Sequence, residues 1–356
     1  MDYLTRLILD SVGDQRNQSC LFDIFVNREE YRAKKDKLGR FLYQFSSNKD
    51  VLRPVVSNYL VDKGFLSVKW PKGHTFAACL THDVDILYPS WKYALFIASK
   101  LCLNLKPKEG LGRIINKVKK SQLLNPYCNF KDILKLEKRY GAKSSFYFLS
   151  ESKELGYITE ELGYITDMGW EIGLHGGYHS YNNPEKLKKE KARLEKILGK
   201  KVCGIRMHFL RFQVPDTWKL LADLGFKYDT TFGYPDMVGF RNGMCHPFKP
   251  HDLETEEEID ILEIPLIVMD ATLHNSMHLH PSEAWRIVKK LIDVTEKSHG
   301  VITILWHNNV FDEILWGKWT NLYEQILKHL YKENAWMTSA EDIYEFWTTH
   351  VSLKHI

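Results

Sequence analysis

Three short stretches combine residue types capable of metal or acid–base chemistry. The first is Leu80-Thr81-His82-Asp83-Val84-Asp85. In an extended chain residues two apart share a side, so Asp83 and Asp85 project together while His82 and Val84 face away. Adjacent carboxylates repel unless a cation or a shared proton intervenes, which points to a metal site or an acid–base pair. The plainer alternative is one solvated loop acid and one helix N-cap. The second stretch, Glu171-Ile172-Gly173-Leu174-His175-Gly176-Gly177-Tyr178-His179, carries two histidines four apart after a strand-like run. If the segment turns helical, His175 and His179 share a face and can chelate a divalent ion. Two imidazoles and one carboxylate with open coordination positions suit a hydrolytic metal centre. In the third, Thr303-Ile304-Leu305-Trp306-His307-Asn308-Asn309, an apolar strand delivers His307 at its end. A histidine titrating near neutrality is a natural proton donor to a leaving group; the alternative is a loop histidine packed beside Trp306. Arg206 closes Gly204-Ile205-Arg206, and Asp229 follows Tyr228.

These residues need strands to deliver them. Ala77–His82, Ser144–Leu149, Trp170–Leu174, Val202–Met207, Ile261–Val268 and Val301–Trp306 read as strands. Between them, Lys131–Arg139, Glu160–Met168, Pro184–Leu198, Pro215–Leu224 and Ser282–Lys297 read as helices. Asn183 as N-cap, Pro184 in the first turn and Gly199 beyond the end mark one helix with particular clarity. Such alternation predicts an α/β fold with a parallel sheet, preferably a barrel, in which active residues gather at the C-terminal strand ends. Residues 1–73 read as a small leading α+β module, with a strand at Leu21–Val26 and helical spacing over Lys35–Phe45; Trp70-Pro71-Lys72-Gly73 marks the boundary. The barrel then spans 74–350, with a helical insertion at about 86–127.

Composition sets the outer limits. The chain has 356 residues, 44% of them hydrophobic and 26% charged, which excludes wholesale disorder and fibrous repetition. No run of 18 apolar residues occurs, so no membrane-spanning helix is expected. Met1–Arg6 lacks a basic region followed by an apolar core, so a signal peptide is not expected either. The six cysteines include no CxxC pair and read as reduced, buried small hydrophobes of a cytoplasmic protein. The net charge of +4 conceals a local excess: residues 91–121 hold eight basic residues against Glu109 alone. Interleaved with Tyr93–Ala98 and Leu101–Leu103, that excess reads as a peripheral membrane element or as a helical decoration whose lysine stems cover its own core.

Taken in order, the motifs resemble those of the polysaccharide deacetylases (NodB-homology domain, carbohydrate esterase family 4), in a divergent branch with a Thr-His-Asp-Val-Asp first motif. The resemblance covers roughly residues 74–348. It implies an irregular (β/α)7 barrel and a divalent metal, usually zinc, used to remove N-acetyl groups from an amino sugar or glycan. Carried over, Asp83 is the base, Asp85, His175 and His179 are the metal ligands, and His307 is the acid. The arginine motif looks like Arg206, with His208 nearby and Arg211 as a competing match. In place of the family's aspartate–tryptophan motif stand Asp229 and Gly239-Phe240-Arg241-Asn242-Gly243. Trp306 is a candidate substrate contact. Carbohydrate is the expected partner and nucleic acid is not; sugar identity and oligomeric state are not legible. The alternatives are a hydrolase of a non-sugar C–N bond, such as an imide or ureide, on the same barrel, and a non-catalytic carbohydrate-binding protein.

Overall fold

The computed structural model describes residues 21–88, 90–103, 105–119 and 125–351. The expectations for Met1–Arg6 and for Cys20 lie outside these. The described residues form eleven strands: β1 Phe76–Val84, β2 Ser145–Leu149, β3 Glu171–Gly176, β4 Gly204–Met207, β5 Tyr228–Asp229, β6 His251–Asp252, β7 Glu257–Glu258, β8 Leu262–Glu263, β9 Val268–Met269, β10 Val301–Leu305 and β11 Ala335–Thr338. Nine of them form one curled sheet in the order β8-β5-β4-β3-β2-β1-β10-β9, with β11 added to β1. Every pairing in that sheet is parallel. All nine residues of β1 are buried, as befits a strand covered on both faces. β6 and β7 make a separate antiparallel hairpin. The architecture is the expected irregular β/α barrel.

Two glycines let the barrel interior fill with aromatic rings. A Cβ on Gly173 would meet the Tyr147 ring at 2.4 Å, and one on Gly204 would meet Tyr228 at 2.0 Å. The two hydroxyls lie 3.3 Å apart, and the Arg206 guanidinium sits 5.0 Å above the Tyr147 ring. This buried column is the floor beneath the site.

The helix Pro184–Leu198 has the predicted ends: Asn183 accepts from Lys186 N at 3.0 Å, and Gly199 takes φ 67°. Elsewhere the sequence pattern misleads. Residues 21–25 are helical, not extended, because the buried positions Phe22, Phe25 and Val26 follow helical spacing. Lys35–Phe45 is not an α-helix; only Tyr43–Phe45 makes a 3-10 turn. Asp36 accepts from the backbone of Leu38 and Arg40, both at 2.9 Å, and Gly39 turns at φ 78°. Residues 21–73 contain no strand, and Phe22, Phe25, Val26, Val56 and Leu60 join the main core. The run Ile261–Val268 splits into β8 and β9, with Pro265, which cannot donate to a ladder, between them. The insertion is a helical hairpin, Trp91–Leu103 and Pro107–Lys119. After β10 follow the helix Glu313–Lys332, β11 and the helix Ala340–His350. The five described cysteines are free, as expected, but only Cys79 and Cys245 are buried; Cys128 and Cys203 are half-buried and Cys102 is exposed on the insertion.

Candidate active site

The C-terminal strand ends converge on a cavity of about 340 Å³. Asp83 and Asp85 enter from β1, His175 from β3, His208 from the turn after β4, and His307 from the end of β10. His82 faces the opposite way, as alternation requires, with Nδ1 2.7 Å from Trp306 O and Nε2 2.9 Å from Glu137.

Asp85, His175 and His208 form a triangle of donor atoms. His175 Nε2 lies 2.9 Å from His208 Nδ1, and Asp85 Oδ1 lies 3.1 Å from the former and 3.2 Å from the latter. His175 Nδ1 faces the carbonyl oxygen of Arg206 at 3.0 Å, so that nitrogen donates and Nε2 is left to face the cavity. Asp85 Oδ1 is a buried atom without a well-formed hydrogen bond among the described residues. Donors bound at about 2.05 Å around a tetrahedral ion sit about 3.3 Å apart, so a few tenths of an ångström of opening would fit the triangle to a divalent ion. Burial by itself raises the Asp85 carboxyl, but contacts from His175 and His208 and the charges of His175 and His307 outweigh it, holding the carboxyl well below the usual range. For His175, burial favours the neutral ring, yet facing Asp83 and Asp85 shifts the balance upward.

His179 is not part of this triangle. It is exposed, with its ring 4.7 Å from Tyr178. The helix that would have aligned it with His175 does not form: His175 lies within β3, paired in register with Leu149 and Arg206, and the next helix begins at Pro184. His208, read from the sequence only as a neighbour of the arginine motif, occupies the position instead.

Asp83 is buried against Arg206, whose NH1 donates to Asp83 Oδ1 at 3.3 Å and to Thr81 Oγ1 at 2.7 Å. The Arg206 Nε and NH2 donate to Thr230 O and Oγ1, both at 2.9 Å, so the fully buried guanidinium is fixed on both sides. Arg211 lies elsewhere: it donates to Leu38 O at 2.8 Å and to Tyr178 O, and stacks 4.1 Å from the Tyr181 ring. It staples the leading segment to the loop after β3. Asp229 accepts from Thr231 Oγ1 at 2.6 Å, and that hydroxyl accepts from Met207 N at 2.9 Å, so Asp229 braces the end of β4 without lining the cavity. It is buried beside Glu263, and burial with the adjacent Asp229 charge pushes Glu263 well above the carboxylate range. Arg241 pairs with Glu30, again away from the cavity. Trp306 is fully buried against Trp319 and Tyr323 and also lines no part of it.

Beside the aspartates, at the end of the neighbouring β10, stands His307, with Nδ1 2.6 Å from Asp270 Oδ1 and its backbone N donating to Asp270 Oδ2 at 2.8 Å. Its Nε2 faces Asp85 Oδ2 at 3.8 Å. Burial favours the neutral ring, but the Asp270 charge and hydrogen bond, with Asp85 and Asp83 behind, push His307 up to about 10. Asp270 moves the other way: burial raises it, and the charge of His307 outweighs this to lower it. Asp270 was missed in the sequence. Its signal is an acid directly after β9, the same strand-end placement that identified Asp83. The outer wall carries His274, 4.9 Å from the half-buried Trp316 in a tilted ring pair, on a π-helical turn Thr272–Ser276. Arg40 from the leading segment reaches the rim, where it donates to Phe209 O at 3.1 Å.

No protein-family model and no curated protein matches the sequence. Solved structures do. A protein designated a polysaccharide deacetylase from Mycobacterium smegmatis superposes with a TM-score of 0.55 at 17% identity, covering 82% of this chain and 98% of that one. Puue allantoinase gives 0.54 at 15%, covering 87% and 98%. A protein of Pseudomonas aeruginosa PAO1, likewise designated a polysaccharide deacetylase, gives 0.55 at 14%, also covering 87% and 98%. The chain thus has the polysaccharide-deacetylase fold.

Proposed function

We propose that this protein is a metal-dependent hydrolase of amide-type C–N bonds, acting as a deacetylase on an N-acetylated sugar. The observation that carries the reading is the flanking of the Asp85–His175–His208 triangle by Asp83–Arg206 on one side and His307–Asp270 on the other. A divalent ion held by those three residues, zinc being the natural choice for two imidazoles and a carboxylate, would supply Lewis acidity and a water ionised near neutral pH.

The chain's own groups then divide the proton transfers. Asp83, oriented by the hydrogen bond its Oδ1 accepts from Arg206 NH1, accepts the proton of the attacking water. His307 donates from Nδ1 to Asp270, which leaves Nε2–H to protonate the departing nitrogen. The Trp316–His274 pair offers an apolar face against which a sugar ring can lie. The likeness to Puue allantoinase supports a second reading, hydrolysis of an imide or ureide, which needs the same base, acid and metal donors.

The test is a panel of N-acetylated sugars and cyclic ureides, assayed for acetate or ring-opened product with the purified protein before and after chelation. Chelator-sensitive acetate release supports the deacetylase reading. Ureide opening alone selects the second, and no turnover of either class by zinc-loaded protein rejects both.

A further inference from the structure

The hairpin inserted after β1 exposes what a soluble helical pair hides. Seven of the eleven large apolar side chains exposed among the described residues lie between Trp91 and Ile115. Leu103 and Leu105, at the bend joining the two helices, are 84% and 91% exposed, and Trp91, Leu95, Phe96 and Leu111 are each at least half exposed. These are not spare core residues, because the hairpin already has its own seam. Ala94, Ile97 and Leu101 are buried, and a Cβ on Gly110 would lie 2.9 Å from Ala98 O and 3.1 Å from Cys102 Sγ, so the helices touch closely there. A second apolar face is left over, and patches of this kind mark interaction sites.

The charges around that face select its partner. Lys92, Lys100, Lys106 and Lys108 are all exposed, and residues 91–121 carry eight basic side chains against one acid. Bare leucines at a tip ringed by lysines match the interface of an anionic bilayer: apolar groups enter the acyl boundary while the ammonium groups meet lipid phosphates. A nucleic acid would take the charge and leave the leucines in water.

The hairpin is fixed to the rim of the cavity. Arg113 donates to both oxygens of Asp312, at 2.7 and 2.6 Å, and Asp312 caps the helix that follows His307. Asn308, next to His307, donates to Ile86 O and Tyr127 O at the two roots of the insertion, at 3.3 and 2.8 Å. We infer that the hairpin 91–119 docks on an anionic phospholipid surface and brings the mouth of the cavity to that surface. This inference does not depend on the reaction proposed above.

The test is co-sedimentation of the full chain with phosphatidylglycerol-containing vesicles and with pure phosphatidylcholine vesicles, at low and physiological salt. Binding to the anionic vesicles alone is expected, weakening as salt rises. Neutralising two lysines (Lys100→Gln with Lys106→Gln) should weaken it about 25-fold, at about fivefold per charge. Leu103→Ser with Leu105→Ser should weaken it at least about tenfold. Both pairs are exposed, so unchanged thermal melts separate a docking defect from unfolding. Absence of binding by the parent at low salt overturns the inference, as does binding that ignores the leucine substitutions. So does self-association that the leucine substitutions abolish, which would make a second copy of the chain the true cover.

Discussion

Two metal-ligand sets compete at this site, and they differ in one histidine. The sequence spacing pairs His175 with His179; the structure pairs it with His208. Each is tested by an alanine substitution in the metal-free protein, followed by zinc titration against a chromophoric chelator. Zinc sites in proteins hold their metal with about 10–16 kcal/mol of apparent free energy, so one of three donors accounts for about 4 kcal/mol, close to a thousandfold in Kd. His208→Ala and His175→Ala should each weaken zinc by that order. His179 is exposed and touches only the Tyr178 ring among the described contacts, so His179→Ala should stay within about twofold, the usual scale of a surface change. Thermal melts control for folding, because His208 is itself partly exposed and buttresses little of the core. A thousandfold loss in His179→Ala, with His208→Ala unaffected, would refute the reasoning: the loop after β3 would then have to re-form around the metal.

The remaining outcomes follow from the flanking groups. Asp83→Asn should retain zinc and lose at least about 100-fold in turnover, whereas Asp85→Asn should lose both; the reverse pattern, read by elemental analysis and initial rates, exchanges their roles. Asp270→Asn should slow cleavage of an amide far more than of an activated aryl acetate, since a phenolate leaves without a proton; equal losses would leave the pair only a positioning role. Burial, with Glu341 adding to it, pushes Glu171 up to about 7, so the folded state holds a proton there that the unfolded chain releases from about pH 4.5. Stability should therefore fall as pH rises through that window, by about 3 kcal/mol, and Glu171→Gln should flatten the difference between melts at about pH 5 and about pH 8.

Much of the barrel was readable because β–α alternation and cap residues are local signals. Asn183, Pro184 and Gly199 bound their helix as predicted. The leading segment was not readable. Leu21–Val26 alternates well enough for a strand, and only the packing of Phe22, Phe25 and Val26 into the barrel core selects the helix. The split of β8 from β9 was signalled by Pro265, and the importance of Asp270 by its place after that run. Arg206 and Arg211 could not be separated from sequence, because what distinguishes them is contact with Asp83 across the sheet rather than any local pattern.

The same logic explains the exchange of one histidine for another. A pair four residues apart shares a face only within a helix, whereas a strand end fixes partners across the sheet. His175 stands opposite Arg206 in the β3–β4 register. β4 ends at Met207 and the chain turns at His208–Leu210, which folds the residue two beyond Arg206 back over the end of β3 toward the ring of His175. That position is His208, and the two rings meet with centroids 4.9 Å apart. The legible signal was therefore Arg-x-His at the end of β4, once β4 is placed beside β3. In this chain the imidazole that meets His175 comes from the neighbouring strand end, and His179, four residues further along, would share its face only if a helix began there.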